Sequence, residues 1–184
     1  DTPVLFRTTT RINHSKSLVE FGEREERQAP EYVKNARKFV CVPANARGNH
    51  YKVEKRQAEL AKWGETCPLN KIEMNGTKIG VVSAGVSYQY AKEVFPEDTS
   101  FLKLGLTYPL PIELIRDFAS KVDKLYVIEE LDPFMENEIR AAGIECIGKE
   151  LTGLCEELNP QLVGERVLDK EFPRKKASVE PVGR

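Results

Sequence analysis

The chain has 184 residues, of which 40% are hydrophobic, enough for the core of one domain and part of a second. Lys and Arg number 28 against 29 Asp and Glu, a net charge of −1, so composition does not indicate the basic face of a general nucleic-acid-binding protein. The apolar runs are too short to span a bilayer, and no charged n-region followed by an apolar h-region predicts a signal peptide.

The first 70 residues contain few periodic segments. Residues 5–15, LFRTTTRINHS, are rich in β-formers and predict a strand close to the first residue. Residues 20–38 are polar and dense in charge, and KFVCVPA predicts a short strand that ends at Pro43. Residues 51–63 predict a helix with a thin apolar stripe, which Gly64 can end.

Short apolar runs alternate with helical patterns between residues 78 and 160. The runs KIGVVSAG, 101–106, KLYVIEE and IECIG predict four strands. The helical patterns are VSYQYAKEVF, PIELIRDFASKV, DPFMENEIRAAG and LTGLCEEL. Phe118 is central in the most regular of these stripes and is predicted to lie in the core. Strands that alternate with helices over short connections favour right-handed crossovers and a mainly parallel sheet.

Local signals predict how several of these elements begin and end. Asp132 and Pro133 have the residue types of an N-cap and a first helical position, and Gly143 follows the same helix. NKIEMNGTKIG predicts a hairpin with a type I′ turn at Asn75-Gly76, which would add an antiparallel edge strand. After Pro160 the tail shows no periodicity and is interpreted as a linker.

The cysteine pattern does not indicate a metal site. The four cysteines are Cys41, Cys67, Cys146 and Cys155. No pair has Cys-x-x-Cys spacing and the chain has two histidines, so a zinc or iron–sulfur site built from this chain is disfavoured. We expect reduced and mostly buried thiols.

The N-terminal segment holds the first candidate ligand or interface residues. Arg7 and Arg11 could bind a carboxylate or a phosphate, although a surface role is the simpler interpretation. His14 and Ser15 do not predict a hydrolase, because neighbours on a strand point to opposite faces and no acid lies nearby in the sequence.

The other candidates lie at predicted strand ends. Ser83, Gly85 and Tyr88 surround a strand-to-helix turn, and a helix N-terminus attracts anions. No dinucleotide or P-loop motif is present, so a tight turn explains Gly85 better than a ligand does. Glu129 and Glu130 end a parallel strand, where open α/β sheets bind ligands. Adjacent residues point apart, however, so a structural or interface role is favoured over acid/base chemistry.

An ordered set of segments resembles the alpha subunits of indolepyruvate ferredoxin oxidoreductases, a thiamine-diphosphate-dependent 2-oxoacid:ferredoxin oxidoreductase family. The segments are PVLFRTTTRINHS, FVCVPANAR, VEKRQAEL, PLNKIE, KIGVVSAGVSYQYAKEVFP, LKLGLTYPLP and KLYVIEELDPFMENEIRAAGI. The resemblance implies a cytoplasmic enzyme that converts arylpyruvates to aryl-acetyl-CoA with ferredoxin as electron acceptor. Its cofactors would be thiamine diphosphate, Mg and [4Fe–4S] clusters. Its partners would be a beta subunit, the remaining alpha-subunit domains and ferredoxin, with no nucleic acid or membrane.

The resemblance also implies a domain organisation. Residues 1–15 would be the last strand and exit of a pyrimidine-binding domain, and residues 16–70 a connector with the helix near 51–63. Residues 71–160 would be a transketolase C-terminal-like domain, a three-layer α/β/α fold with a five-stranded, mainly parallel sheet that has one antiparallel strand. Residues 161–184 would be a linker towards a diphosphate-binding domain. The fold class is therefore α/β with an extended N-terminal arm.

The chain also departs from that family. It has no CPGCPHR-like segment, no set of cluster cysteines and no match to the cofactor-activating glutamate. No residue of this chain therefore matches a catalytic, cofactor-binding or metal-binding position of that family. We expect an internal fragment with an architectural role that is inactive alone.

Two alternatives remain open. One is a freestanding module that binds an anionic ligand such as CoA at the carboxyl edge of the sheet. The other is a pure subunit-assembly module.

Overall fold

The structure is a computed structural model that describes residues 4–8 and 10–172, without the side chains of Arg11 and Ile12. The chain divides into two compact units at the Val40–Cys41 boundary. Each unit is described by itself.

The described part of the first unit contains two four-residue helices, α1 (Thr10–Asn13) and α2 (Ala36–Phe39). Residues 4–8 have no regular structure, so the strand predicted over residues 5–15 is wrong, and an extended arm built on it is not confirmed. The strand predicted in KFVCVPA is also wrong, because α2 occupies its first residues. Every side chain described in this unit is exposed. A strand there would have no described neighbour with which to share backbone hydrogen bonds.

The second unit holds a four-stranded sheet with helices on both faces. Its strands are β1 (Lys71–Glu73), β2 (Ile79–Ala84), β3 (Ser100–Leu104) and β4 (Lys124–Ile128). Its helices are α3 (Pro43–Gly64), α4 (Gly85–Val94), α5 (Ile112–Ala119), α6 (Phe134–Ala141), α7 (Lys149–Thr152) and α8 (Pro160–Leu168). The strand order is β1-β3-β2-β4, with β2 parallel to β3 and β4, and β1 antiparallel to β3. The predicted α/β class and the mainly parallel sheet with one antiparallel strand are confirmed.

The sheet has four strands in the described residues where five were expected. The run IECIG makes a single parallel bridge, between Ile147 and Tyr126 of β4. Two backbone hydrogen bonds hold it, from Val127 N–H to the Ile147 carbonyl at 2.8 Å and from Ile147 N–H to the Leu125 carbonyl at 3.0 Å. The chain then leaves the sheet at Gly148, where an added Cβ would lie 2.4 Å from the Glu136 carboxylate. Pairing therefore stops after one residue.

The predicted hairpin is wrong, because β1 pairs with β3 and not with β2. The Asn75-Gly76 segment is anchored to Ser100, the first residue of β3. The Ser100 hydroxyl oxygen accepts hydrogen bonds from the Asn75 N–H at 3.0 Å and the Gly76 N–H at 3.1 Å, and the hydroxyl donates to the Gly76 carbonyl at 2.6 Å. These contacts direct the chain from β1 past the start of β3 before β2 begins.

Two hydrophobic clusters cover the two faces of the sheet. One contains residues of α5 and α6, including Phe118 and Ile139, both 0% exposed. The other contains residues of α4 and α8, including Ala91 and Val163. Consecutive residues of β2, Val81 and Val82, belong to opposite clusters because side chains alternate along a strand. The central strand is thus buried on both sides, as is usual for a parallel sheet.

Three helices differ from the predictions. Helix α3 begins at Pro43 and not near residue 51, with the proline in its first turn, where no N–H is needed. Helix α7 covers only the start of LTGLCEEL, because Gly153 has a φ of +75°. Helix α8 lies in the segment interpreted as an aperiodic linker. The Asn159 side chain caps α8 by accepting from the Leu162 N–H at 2.9 Å.

The cysteine prediction is confirmed in part. All four thiols are free, as expected for a chain without disulfides. Cys67 is buried and Cys146 is half-buried, but Cys41 and Cys155 are exposed, so the expectation of mostly buried thiols is wrong. Cys155 is exposed and lies beyond α7, which ends at Thr152.

Phe118→Ala should lower the free energy of unfolding by about 3–5 kcal/mol, because it opens a cavity under α5 where the ring is completely buried. Phe134→Ala is the matched control, since it removes the same ring from a site that is 44% exposed, and its effect should be much smaller. Urea denaturation of both variants measures the difference. Equal losses would contradict the packing described here.

Deleting residues 1–40 should leave a cooperatively melting domain, because the described side chains of that unit are exposed while the two clusters lie in the second unit. Limited proteolysis of the full chain should cut first between residues 20 and 38, where the described backbone is largely without regular structure. Mass spectrometry of the early fragments and a thermal melt of the shortened chain check both statements. A shortened chain without a melting transition would contradict them.

Candidate functional site

A crevice opens where the three parallel strands end. β2, β3 and β4 finish at the same edge of the sheet, and the chain continues from β2 to α4 on one face but from β3 and β4 to α5 and α6 on the other. Because these connections leave towards opposite faces of the sheet, a gap opens between the ends of neighbouring strands. Open α/β sheets bind ligands in such a gap. The crevice has a volume of about 450 Å³ and is lined by residues that include Gly85, Ser87, Gly105, Glu130 and Phe134.

A second cavity, of about 530 Å³, lies near the start of β4. Its lining contains two cations, Lys124 and Arg140, and Arg140 already pairs with Glu136 at 2.9 Å and with Glu150 at 3.0 Å. Asp123 and Glu145 also line it, so the cavity presents charges of both signs. The carboxyl-edge crevice is smaller, but it is the better candidate because it lies where open α/β sheets bind ligands.

One side of the crevice is formed by the start of α4. Gly85 is the first residue of this helix and has a φ of +57°, which explains why a glycine is required there. No side chain caps the helix, and the first N–H groups of any α-helix lack partners within the helix. Ser83, just before this turn, is fully buried, and its hydroxyl donates to the Ile128 carbonyl at 2.6 Å. Ser83 thus ties β2 to β4.

The opposite side of the crevice contains Glu129. Its two carboxylate oxygens accept hydrogen bonds from the Met135 N–H at 2.8 Å and the Glu136 N–H at 2.9 Å, so Glu129 caps α6. The prediction that Asp132 is the N-cap is wrong, since Pro133 occupies that position and Asp132 is exposed. Burial raises the pKa of Glu129, and the two N–H donors offset only part of that effect.

Glu129 and Glu130 both follow the end of β4, and their carboxylates have different partners. The Oε2 of Glu130 accepts from the Leu158 N–H at 3.4 Å, a long hydrogen bond, and the residue is half-buried in the crevice wall. Lys149 lies close by and donates to the Glu129 carbonyl at 2.5 Å. Burial lowers the pKa of the Lys149 ammonium group. The two glutamates are therefore not arranged as a catalytic acid/base pair, because Glu129 is committed to α6.

Tyr88, another predicted candidate, is not among the residues that line the crevice. Tyr88 is buried beneath α4, where its hydroxyl donates to Glu73 Oε1 at 2.5 Å, and burial raises its pKa. Lys92 also binds the Glu73 carboxylate, which lowers the pKa of Glu73. Arg7 is exposed in the first unit, and the side chain of Arg11 lies outside the described residues.

Sequence reasoning missed Ser87, Gly105 and Phe134 as crevice residues. Ser87 is the third residue of α4, and its position relative to the helix start could have indicated it. Gly105 follows β3, and an added Cβ there would lie 2.5 Å from the Leu69 side chain, so this glycine reflects a close approach of two segments. Nothing in the local pattern reveals that contact.

The described residues do not fit the metal groups that the resemblance implies. A [4Fe–4S] cluster needs four converging thiolates. Residues 4–8 and 10–172 contain no group of three or more His, Cys, Asp or Glu side chains arranged to hold a metal ion. Within the same residues, no helix combines the length and apolar character needed to cross a membrane.

Comparison with known proteins places these observations in a family context. No family model matches the chain. It is 35% identical over 167 residues to the indolepyruvate oxidoreductase subunit IorA of Methanothermobacter thermautotrophicus, covering 87% of this chain and 27% of that protein. It is 36% identical over 152 residues to IorA of Thermococcus kodakarensis, covering 74% of this chain and 23% of that protein. The chain thus spans about a quarter of these relatives, and the predicted resemblance is confirmed.

A solved structure supports the fold. The chain resembles 2-oxoglutarate:ferredoxin oxidoreductase from Magnetococcus marinus, which has 2-oxoglutarate, coenzyme A and succinyl-CoA bound. The TM-score is 0.52 at 18% identity, and the match covers 70% of this chain and 24% of that one. At this identity the likeness concerns the fold alone.

Glu129→Ala should lower the free energy of unfolding by about 2–3 kcal/mol, because it leaves two buried N–H groups of α6 without their acceptor. Asp132→Ala, the matched control, should change it by less than about 0.5 kcal/mol. Chemical denaturation of the two variants distinguishes the caps. If Asp132→Ala lowers the free energy of unfolding more than Glu129→Ala does, Asp132 is the cap of α6, as the sequence predicted.

The stability advantage of the parent over Glu129→Gln should shrink as the pH rises above the ordinary glutamate value of 4.5. Burial raises the pKa of Glu129 in the folded state, so the folded chain binds the proton more tightly than the unfolded chain does. Ionising Glu129 therefore destabilises the fold, and the glutamine variant lacks this dependence. Denaturation at a series of pH values up to neutrality tests this, and a widening difference would contradict it.

Proposed function

We propose that this chain is a segment of the alpha subunit of an indolepyruvate:ferredoxin oxidoreductase and that the segment is architectural. The observation that carries the proposal is the 35% identity to IorA over 87% of the chain. The complete enzyme would oxidatively decarboxylate arylpyruvates to aryl-acetyl-CoA and pass the electrons to ferredoxin. Thiamine diphosphate, Mg and [4Fe–4S] clusters would supply that chemistry from parts of the enzyme other than the described residues. The enzyme would work in the cytoplasm with a beta subunit.

The charged groups of the second unit support an architectural role. The carboxylate of Glu129 caps α6, that of Glu65 accepts from the Leu114 N–H at 2.7 Å at the start of α5, and that of Glu136 accepts from the Lys149 N–H at 2.8 Å at the start of α7. Carboxylates bound in this way stabilise helices and are not available as bases. The domain therefore positions other parts of the enzyme.

Exposed apolar side chains on residues that line the crevice, or that follow its lining residues in the chain, provide a surface for such contacts. Val86 is 50% exposed, Tyr108 66% and Leu131 68%, and the Tyr108 ring lies 6.3 Å from that of Phe134. Exposed apolar groups close to one another are typical of surfaces that another domain covers. Within the proposal, residues 71–160 act as the transketolase C-terminal-like domain. Residues 16–70 and 161–184 connect it to the thiamine-binding domains.

A chimera tests the proposed function. The matching segment of the Methanothermobacter thermautotrophicus IorA protein is replaced by this chain, and the product is expressed together with the second subunit of that enzyme. The chimera should assemble and retain indolepyruvate-dependent reduction of ferredoxin, because an architectural segment needs a conserved shape and surface more than identical residues.

The control is a chimera that carries the matching segment of the Thermococcus kodakarensis protein, which shares 36% identity with the present chain. If the control assembles with the second subunit and the chimera with this chain does not, the proposed function is wrong. If the chimera assembles and binds its cofactors but is inactive, the segment contributes a catalytic group and the architectural role is wrong.

A further inference from the structure

Strand β1 forms one edge of the sheet. It comes first in the strand order, and within residues 4–8 and 10–172 no strand pairs with its outer side. In an antiparallel pair, alternate residues direct their N–H and C=O groups away from the neighbouring strand, so the outer side of β1 can pair with a further strand. Lys71 and Ile72 are exposed and Glu73 is half-buried, so this side of β1 is accessible.

The edge is held in place on both sides of β1. Just before the strand, Asn70 Oδ1 accepts from the Gly105 N–H at 2.9 Å and the Leu106 N–H at 3.3 Å. Just after it, the Asn75 N–H donates to the Ser100 hydroxyl at 3.0 Å. A strand that is already ordered loses little conformational entropy when it pairs, which favours binding.

One face of this edge carries more positive charge than its own carboxylate neutralises. Lys71 lies directly opposite Lys103 of β3, and like charges in that position destabilise a strand pair. The Glu73 carboxylate is already bound by the Tyr88 hydroxyl and by Lys92 of α4. In the part of the chain that the structure describes, neither Lys71 nor Lys103 forms a salt bridge. Three lysines therefore surround one glutamate that is already engaged.

The opposite face of the edge is apolar. Ile72 lies opposite Leu102, which belongs to the cluster beneath α5 and α6, and Ile72 is 41% exposed. Met74, which follows the strand, is 44% exposed. Side chains alternate along a strand, so a strand added outside β1 would meet lysine on one face and apolar side chains on the other.

We propose that β1 docks an extended polypeptide segment in which acidic and apolar residues alternate, added as a further strand on its outer side. The backbone of the segment would bind the outward N–H and C=O groups of β1, and an acidic side chain would lie opposite Lys71. Lysines on edge strands commonly deter pairing with apolar strands, but they do not deter an acidic one. An acidic partner also offsets the repulsion between Lys71 and Lys103, which the described residues leave uncompensated.

A short synthetic peptide of alternating glutamate and valine tests the proposal. Fluorescence anisotropy of the labelled peptide, titrated with the full chain at low ionic strength, should show saturable binding. Lys71→Glu should weaken this binding about tenfold, because the ion pair becomes a repulsion. Lys71→Gln should weaken it about threefold and provides the same comparison if Lys71→Glu does not fold.

Lys124→Glu is the matched control for the protein. Lys124 is the exposed first residue of β4, the strand at the other end of the strand order, and its substitution should leave the affinity unchanged. The control for the peptide has the same side chains on a fully N-methylated backbone. It keeps the charge but has no N–H donors for β1, so it should not bind.

Binding that does not saturate, or that is unaffected by both Lys71 variants, would overturn the proposal. Equal binding of the N-methylated peptide would overturn it too, because charge attraction without strand pairing would then explain the result. Sedimentation of the chain alone tests a second copy as the occupant. Self-association that Lys71→Glu abolishes would assign the edge to that copy and overturn the proposal. These measurements do not involve the chimera, so either proposal can fail while the other stands.

Discussion

The burial of β2 on both faces is the constraint on which the rest of the second unit depends. Val81 and Val82 are neighbours, both are 0% exposed, and each belongs to a different hydrophobic cluster. The backbone of the strand is satisfied by β3 on one side and β4 on the other. Helices must therefore cover both faces, and the connections from β2 and from β3 leave the sheet in opposite directions. The crevice at the carboxyl edge follows from that topology.

Carboxylates distributed along the second unit stabilise the helices that this topology requires. Glu65 precedes the sheet and binds the start of α5, although 49 residues separate it from Leu114. Glu129 ends β4 and holds α6, and Glu136 of α6 holds α7. Each contact joins two elements, so the acidic residues link α3, the sheet and the later helices into one unit. Helix α4 is held in the same way through its side chains, because Tyr88 and Lys92 bind the Glu73 carboxylate of β1.

The architectural role concerns the carboxyl edge of the sheet. It depends on the exposed apolar side chains around Tyr108 and Phe134, which another domain of a longer protein would cover. This role is compatible with a segment that matches about a quarter of the length of IorA proteins. It does not require the glutamates to act as catalytic groups.

The sequence by itself determined the parallel core: β2, α4, β3, α5, β4 and α6 are all present where hydrophobic periodicity predicted them, and Gly143 follows α6 with a φ of +74°. Hydrophobic periodicity and helix-ending glycines act within about ten residues, so a local sequence pattern predicts these strands and helices.

Only the tertiary structure decided that β1 joins β3, that Glu129 replaces Asp132 as the cap of α6, and that α8 packs on α4. The Asn75–Ser100 contact spans 25 residues, and Val163 of α8 lies against residues of β2 and β4. Such pairings depend on which distant groups the folded sheet brings together, and no local pattern contains that information.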